Sequence, residues 1–115
     1  MYQFFYAEIL EDDPRHARET ERHALDHAVK LLQEAERNGP QSREAIEALL
    51  FLRRVWTIML DDLASPDNGL PESQRASLMS IGIWIMKEAD LIRADKSDNF
   101  EGLIEINQSI RDGLQ

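Results

Sequence analysis

The sequence predicts an all-α protein, a compact bundle of four main helices preceded by a short N-terminal aromatic segment. Apolar residues recur at three- and four-residue spacing in four successive stretches, which is the period of an amphipathic helix. Short turns rich in Gly, Pro, Asp and Asn separate these stretches and do not continue a helix. No stretch alternates apolar and polar residues as a half-buried strand does. Because the 115 residues contain no long linker, we expect a single domain spanning residues 1–115.

The first helix is predicted to begin at Asp13-Pro14 and to end at Gly39-Pro40. Asp accepts hydrogen bonds from the free N–H groups of a first turn, and Pro has no N–H to leave unpaired at the first helical position. The apolar face of this helix is mostly alanine, so we expect it to pack closely against a neighbour. That face comprises Ala17, Ala24, Ala28, Leu31 and Ala35.

The second and third helices are separated by the turn ASPDNGLP, whose residues cannot sustain a helix. The second helix is predicted to begin near Ser42 and to last until this turn. The third is predicted to begin at Pro71 and to reach about Ala94. Both contain a continuous apolar seam at helical spacing, which we expect to face the core of the bundle.

The fourth helix is predicted to begin at Ser97 or Asp98 and to end at Gly113. Glu101 lies three residues after Asp98, which is the spacing of a capping box. Asn107 falls on the apolar seam of this helix, so it is the polar residue that we expect to be buried. A register-setting role is its simplest interpretation.

Composition and charge exclude several classes of protein. The chain has 22 acidic and 13 basic residues, a formal net charge of −9, and no cysteine. Disulfides, thiolate zinc sites and cysteine nucleophiles are therefore excluded, and a reducing cytoplasm is suitable. The opening residues lack the basic start, the uninterrupted apolar stretch and the small-residue cleavage site of a signal peptide, so we expect none, and no apolar run reaches the roughly 18 residues of a membrane span. We expect a cytoplasmic protein without membrane contact, and the net charge disfavours direct contact with nucleic acid.

Helices two and three are apolar on more than one side. Unbranched Met side chains repack around different partners, and apolar stripes often receive an amphipathic helix. Either the other helices and the aromatic N-terminus cover these extra stripes, or part of them stays exposed for a partner or for a second copy of the chain. The stripes are Phe51, Val55 and Ile58 on the second helix and Met79, Ile83 and Met86 on the third, whose other flank carries Trp84 and Leu91.

Arg53 and Arg54 interrupt the most apolar part of the second helix. No acidic residue lies three or four positions away, so neither can form an ion pair within the helix. Folding the second helix back on the first would place Asp26 about level with them. Pairing with Asp26, extension of the charged ends into solvent, and a ligand carboxylate are the alternatives, and a contact with RNA is the least favoured of them.

Three histidines lie on the first helix, and two of them, His23 and His27, have the i, i+4 spacing that can chelate a metal ion. Glu19 lies four residues before His23, and His16 precedes it. A zinc protease would have Glu directly after the first His, but Ala24 occupies that position. Solvated histidines on a charged helix are the favoured interpretation. With no Gly-rich phosphate loop and no Gly-flanked Ser, we expect neither an enzyme nor a cofactor.

Three extended segments carry a family resemblance, namely MYQFFYAEILEDDPR, REAIEALLFLRRVWTIMLDDLASPDNGLP and SIGIWIMKEADLIRADKSDNFEGLIEINQSIRDGL. Through them the chain resembles the flagellar biosynthesis regulator FlaF family of alphaproteobacteria over essentially its whole length. The most specific parts are LRRVWTI, the ASPDNGLP turn, IGIWIM and SDNFEGLIEIN. None of these is a catalytic signature.

The resemblance implies a cytoplasmic, non-enzymatic protein that is needed for flagellin production and export. It also implies flagellin as a partner and FlbT, an opposing regulator associated with flagellin mRNA, as a candidate functional partner. Flagellin has amphipathic terminal helices that stay unassembled until export, and a helical protein with surplus apolar surface could cover one of them. A chaperone-like adaptor is therefore the main hypothesis.

Two other hypotheses remain, a direct regulator of flagellin mRNA and a metal-dependent enzyme on the first helix. RNA binding would require clustered basic or stacking aromatic residues and would weaken steeply with salt. The apolar stripes favour the binding module. Its candidate contact residues are Phe51, Val55, Ile58, Met79, Ile83, Met86, Arg53, Arg54, Tyr2 and Phe5.

Overall fold

The structure, a computed structural model, describes residues 14–114 and consists there of four α-helices. The predicted all-α bundle is confirmed for this part of the chain, whereas the N-terminal aromatic segment, including Tyr2 and Phe5, lies outside the described residues. The helices are α1 (Pro14–Asn38), α2 (Arg43–Ala64), α3 (Glu72–Arg93) and α4 (Phe100–Gly113).

The turn between α1 and α2 confirms the predicted helix boundaries. Gly39 has a φ of 96°, a conformation that favours glycine, and its N–H donates to the Ala35 carbonyl at 2.8 Å. The Ser42 hydroxyl accepts a hydrogen bond from the backbone N–H of Ala45 at 3.1 Å, so Ser42 caps α2. Two local signals, glycine at the end of one helix and serine before the next, therefore set this turn.

The predicted start of α4 is wrong by one or two residues. The cap is Asn99, whose side-chain oxygen accepts from the backbone N–H of Gly102 at 3.0 Å. Ser97 instead donates its hydroxyl to Glu88 on α3 at 2.6 Å and accepts from the backbone N–H of Asn99 at 3.1 Å. Because Ser97 is engaged with α3, the chain stays in the turn for longer, and Asn performs the capping that the Asp98 and Glu101 pattern predicted.

Helix α1 packs against both α2 and α4, and α3 packs on the other side of α2. The described alanines of the predicted α1 face are fully buried, and small side chains of this kind let two helix axes approach each other. Leu25, Val29 and Leu32 fill the space beside the alanines. The fully buried alanines are Ala24, Ala28 and Ala35 on α1 and Ala45 and Ala48 on α2.

Helix α3 packs closely on α2 at Gly82. A Cβ added there would lie 2.7 Å from a ring carbon of Trp56 and 2.8 Å from a methyl of Leu60, so no side chain fits. On the opposite side of the same indole ring, α4 contributes Asn107, whose side-chain oxygen accepts from Trp56 Nε1 at 2.8 Å. Asn107 is fully buried, which confirms that prediction, and its amide also donates to the Leu103 carbonyl at 2.7 Å. Trp56 thus connects three helices.

The partner predicted for the arginine pair is wrong. Arg53 forms its ion pair with Asp90 on α3, because it projects from the side of α2 that faces α3. Asp26 instead bonds Lys30 on its own helix and Arg111 on α4, both at 3.0 Å. The side of α1 that carries Asp26 faces α4. The order of the helices along the chain does not show which side of α1 faces which neighbour.

Candidate functional site

A groove lies between α3 and α4, the two helices of the bundle that make little contact with each other. Its volume is about 440 Å³. We call it the α3/α4 groove, and it is lined by Ile81 and Trp84 of α3 and by Gly102, Glu105, Ile106 and Ser109 of α4.

The groove stays open because each of its walls is attached to another helix. Helix α3 is held against α2 by the close contact at Gly82 and by the ion pair between Arg53 and Asp90. Helix α4 is held against α1 by the ion pair between Arg111 and Asp26, and against α2 by the hydrogen bond from Trp56 to Asn107. No comparable bond draws α3 and α4 together along the described groove, so a space remains between their apolar sides.

The lining of the groove is apolar, with a polar edge on α4. Ile81 and Ile106 rest against the core with one side and line the groove with the other. Trp84 is 42% exposed, which is unusual for the largest apolar side chain. Glu105 is the charged residue of the lining and Ser109 lies one turn further along α4. An apolar surface with a carboxylate at its edge suits an amphipathic helix that carries a basic residue beside its apolar face.

Gly102 lies in the first turn of α4, and because it has no side chain the α4 wall of the groove is shallow there. A Cβ at this position would lie 2.5 Å from the side-chain amide of Asn99, which caps α4. A side chain here would displace the Asn99 amide, and its absence leaves the backbone of the first turn accessible from the groove. The same residue serves helix capping and the shape of the site.

The candidate residues on α2 do not form one outward stripe. Val55 is buried in the core, so it contributes packing to the folded bundle. Phe51 lies against α1, where its ring meets that of His27 edge-on with centroids 4.8 Å apart. Ile58 is half-buried. Neighbouring helices therefore cover Val55 and much of Phe51, which agrees with the first of the two alternatives for this stripe.

The candidate residues on α3 lie on the flank away from the groove. Met79 and Met86 are half-buried, and Met86 packs against the core. Ile83 is 48% exposed, which makes it the most accessible of the three. The structure does not bring this flank together with Phe51, because Phe51 projects towards α1 and α3 lies on the other side of α2.

The two arginines differ in their surroundings. Arg53 is partly covered and paired with Asp90. Arg54 is exposed, and within residues 14–114 it has no ion pair or side-chain hydrogen bond. Neither lines the α3/α4 groove. Tyr2 and Phe5, the remaining candidates, lie outside the described residues.

Sequence reasoning missed the groove itself. It noted Trp84 as part of a further flank of α3 but did not select it, and it assigned Ile106 no role. A tryptophan at 120° or more from the centre of the buried seam is a signal that could have identified the α3 wall. The contribution of α4 could not be identified in this way, because its apolar residues look like an ordinary core-facing seam.

Other kinds of site are not found in the described part of the chain. No group of three or more His, Asp or Glu residues within it could hold a metal ion, and His23 and His27 are both exposed. The side chain of His16 lies outside the described residues. None of the four helices is long and apolar enough to cross a membrane.

Comparison with known proteins identifies the family. The sequence model of the flagellar protein FlaF matches residues 2–114, which is nearly the whole chain. Comparisons with curated proteins and with solved structures gave no match. The family match includes all four helices and both walls of the α3/α4 groove. The chain therefore belongs to the FlaF family of flagellar proteins.

Proposed function

We propose that this protein is a non-enzymatic, cytoplasmic regulator of flagellum biogenesis that promotes flagellin synthesis and export by binding flagellin. In this proposal the α3/α4 groove receives an amphipathic helix from a terminal segment of flagellin. The protein then acts as a chaperone-like adaptor that covers the apolar face of that helix before export. FlbT remains the candidate functional partner.

The observation that carries the proposal is the half-exposed Trp84 in an apolar groove. Tryptophan is prominent among residues that dominate binding energies, because it buries a large apolar area at the cost of few rotatable bonds. Here it lines the groove together with Ile81 and the α4 residue Ile106, both of which pack against the core. The groove is thus a preformed apolar surface, and a helix entering it would need little rearrangement of the bundle.

The family supplies the second argument. A flagellar protein that binds a helix has an evident partner in flagellin, whose terminal helices have an apolar face that needs cover until assembly. Glu105 at the groove edge favours a helix with a Lys or Arg next to its apolar face. The groove therefore favours a partner helix by its charge as well as by its shape.

Direct action on flagellin mRNA is the second candidate function, and one observation favours it. Arg54 is exposed and has no partner within residues 14–114, so its guanidinium is free to contact a phosphate. Against this, the chain has a net charge of −9, and the charged residue that lines the groove is Glu105. Helix binding is consequently the better supported of the two.

The two tryptophans give a direct test of groove occupancy. Trp56 is fully buried, whereas Trp84 is exposed, so a neutral quencher such as acrylamide should quench mainly Trp84 fluorescence. Addition of monomeric flagellin that lacks tryptophan should protect the quenchable fraction. If flagellin binds but Trp84 remains equally quenchable, the groove is not the binding site.

A pair of neighbouring substitutions on α3 separates the groove from the other flank. Trp84→Gln should weaken flagellin binding about 30-fold or more, the effect of losing a residue that dominates the binding energy. Ile83→Gln is the matched control, because Ile83 is similarly exposed but does not line the groove. The opposite ranking would place binding on the flank of Met79, Ile83 and Met86.

Copurification at two salt concentrations tests the mRNA alternative. Flagellin held mainly by apolar burial should be retained at both concentrations, whereas RNA held by arginine contacts should be lost at the higher one. Retention of flagellin mRNA without flagellin at low salt would support the alternative and contradict helix binding.

A further inference from the structure

A second exposed apolar site lies on the outer face of α2, away from the α3/α4 groove. Ile46 is 57% exposed and Leu50 is 47% exposed, and their i, i+4 spacing places them next to each other on one ridge of the helix. Neither lines the groove. Two adjacent large aliphatic side chains that are this exposed form an uncovered ridge on the described part of the bundle.

Arginines surround this ridge. Arg43 lies three residues before Ile46, and Arg53 and Arg54 lie three and four residues after Leu50. Arg93 joins them from α3, because it and Arg53 both approach the same carboxylate oxygen of Asp90. We call this surface the arginine-flanked patch, and it comprises Ile46, Leu50, Arg43, Arg53, Arg54 and Arg93.

The patch is positive on a protein that is negative overall. Its four arginines face two paired carboxylates, Glu47 at 3.2 Å from Arg43 and Asp90 beside Arg53. The whole chain has 13 basic residues against 22 acidic ones, so the local charge of the patch is opposite in sign to the net charge of the molecule. At physiological salt, interactions between exposed charges are screened beyond about 8 Å, and a ligand on the patch therefore responds mainly to these arginines.

We propose that the arginine-flanked patch binds an acidic amphipathic helix of a partner protein. The apolar residues of that helix would cover Ile46 and Leu50, and its Asp or Glu side chains would meet the arginines on either side. Charge complementarity selects this occupant, because a basic helix would be repelled by the same arginines. Exposed aliphatic residues and the absence of an aromatic side chain within the patch favour a helix over single-stranded RNA, which requires stacking surfaces.

Arg54 is the most informative member of the patch. It is exposed and has no ion pair within residues 14–114, so replacing it disrupts no described interaction of the bundle. A carboxylate from the partner helix would supply the contact that the fold does not. This surface is independent of the groove, so the inference goes beyond the proposed function and does not require flagellin as its partner.

The test uses two synthetic helical peptides of about 20 residues, long enough to be substantially helical in water. Both carry Leu at i and i+4 in an Ala-based sequence, and one has Glu on the flanks where the other has Lys. Fluorescence anisotropy with the full-length protein should show binding of the Glu peptide, with an affinity that falls as salt rises, and at least about tenfold weaker binding of the Lys peptide. Equal binding of both peptides, or no binding of either, would overturn the proposal.

Three variants assign the binding to the patch. Arg54→Glu should weaken binding of the Glu peptide about fivefold or more, and Ile46→Gln with Leu50→Gln should abolish it. Arg18→Glu is the matched control, because Arg18 is an exposed arginine near the start of α1, at the opposite end of that helix from the turn into α2, and has no ion pair within residues 14–114; it should leave the affinity within about twofold. Circular dichroism verifies that each variant remains helical. An equal loss in the Arg18 variant would mean that net charge, and not the patch, attracts the peptide.

Two further measurements exclude other occupants. A single-stranded RNA oligonucleotide that binds in place of the Glu peptide, and is lost in the Arg54 variant, would overturn the proposal in favour of RNA. A dimer in light scattering that Leu50→Gln dissociates would overturn it in favour of a second copy of the chain. Flagellin binding and Trp84 protection should be unchanged by Arg54→Glu, so failure of this proposal and failure of the proposed function are separable.

Discussion

Two pairs of consecutive helices in this bundle differ sharply in how closely they pack. Helices α1 and α2 are joined by residues 39–42 and pack against each other extensively, and both contain fully buried alanines. Helices α3 and α4 are joined by residues 94–99 and remain apart, with half-exposed Trp84 between them. Both connections are short, so loop length does not explain the difference.

The difference follows from side-chain size and from competing attachments. Small alanine side chains allow helix backbones to approach each other, whereas the larger side chains Ile81, Trp84 and Ile106 line the space between α3 and α4. At the same time α4 is bound to α1 and α2 through Arg111 and Asn107. A short connection therefore brings two helices side by side, but their facing residues and their other partners decide whether the space between them closes.

The largest expected effect contrasts one residue from each region. Leu32→Ala should destabilise the protein by about 2–5 kcal/mol, since Leu32 is fully buried in the α1 side of the core and its removal leaves a cavity. Trp84→Gln should cost about 1 kcal/mol or less, because much of that side chain already contacts solvent. Urea unfolding followed by circular dichroism measures both. Similar costs would show that the α3/α4 groove is closed in solution.

Gly82→Ala tests the close contact that holds α3 away from α4. Alanine is the better helix former by about 1 kcal/mol, yet its Cβ would meet the Trp56 ring at 2.7 Å. That ring is buried and bonded to Asn107, so it cannot move aside, and overpacking costs about 1–3 kcal/mol. We expect net destabilisation by about 1 kcal/mol in urea unfolding.

Gly113→Ala is the matched control for this substitution. No atom lies within 4 Å of a Cβ added at Gly113, so its unfolding free energy should change by less than about 0.5 kcal/mol. A Gly82 variant as stable as the control would mean that α2 and α3 are farther apart than described.

Asp95→Gly should stabilise the turn that separates α3 from α4. Asp95 has a φ of 61°, and the N–H groups of Asp95 and Lys96 donate to the carbonyls of Ile92 and Leu91, which is a Schellman ending. Glycine adopts this conformation without a Cβ penalty, so we expect a gain of about 0.5–1 kcal/mol and a Tm higher by about 3–6 °C.

Asp95→Ala is the control, because it removes the same charge from the C-terminal end of α3 but keeps a Cβ at positive φ. Its Tm should lie below that of the glycine variant. Equal gains in both variants would assign the effect to the charge and not to the backbone.

The smallest expected effect concerns Asp26, which helps to hold α4 on α1. The hydrogen bond from Lys30 lowers the pKa of the Asp26 carboxyl below its ordinary value of 3.8; partial burial raises this pKa, and the bond from Arg111 lowers it further. Because the pKa is lowered in the folded state, the stabilisation is present above about pH 4 and is lost as the pH falls through the folded pKa. Asp26→Asn should therefore reduce Tm at neutral pH, with a difference from the parent that shrinks below about pH 4.

Asp61→Asn is the control for this pH profile. Asp61 is exposed on α2 and has no ion pair within residues 14–114. Its variant should follow the parent in a Tm series from about pH 3 to about pH 7. A constant Tm difference for Asp26→Asn across this range would contradict a role for its charge.

Local patterns alone determined the helical class, most helix boundaries and the burial of Asn107. Helical spacing of apolar residues, Gly39 after α1 and Ser42 before α2 are signals that need no tertiary partner. The start of α4 differs because Ser97 is engaged by Glu88, a residue of another helix. Capping patterns therefore predict a boundary only where no distant residue competes for the capping side chain.

The tertiary structure alone decided which apolar residues are exposed and which charges pair. Val55 and Trp84 are both apolar and both lie in helices with several apolar sides, yet one is in the core and the other lines a groove. Periodicity places residues on faces of a helix, but the neighbours of each face depend on how α3 packs on α2 and α4 on α1. The same packing pairs Arg53 with Asp90 and Asp26 with Arg111. The sequence thus determined four amphipathic helices of a FlaF family protein, and the order of their packing decided where a partner can bind.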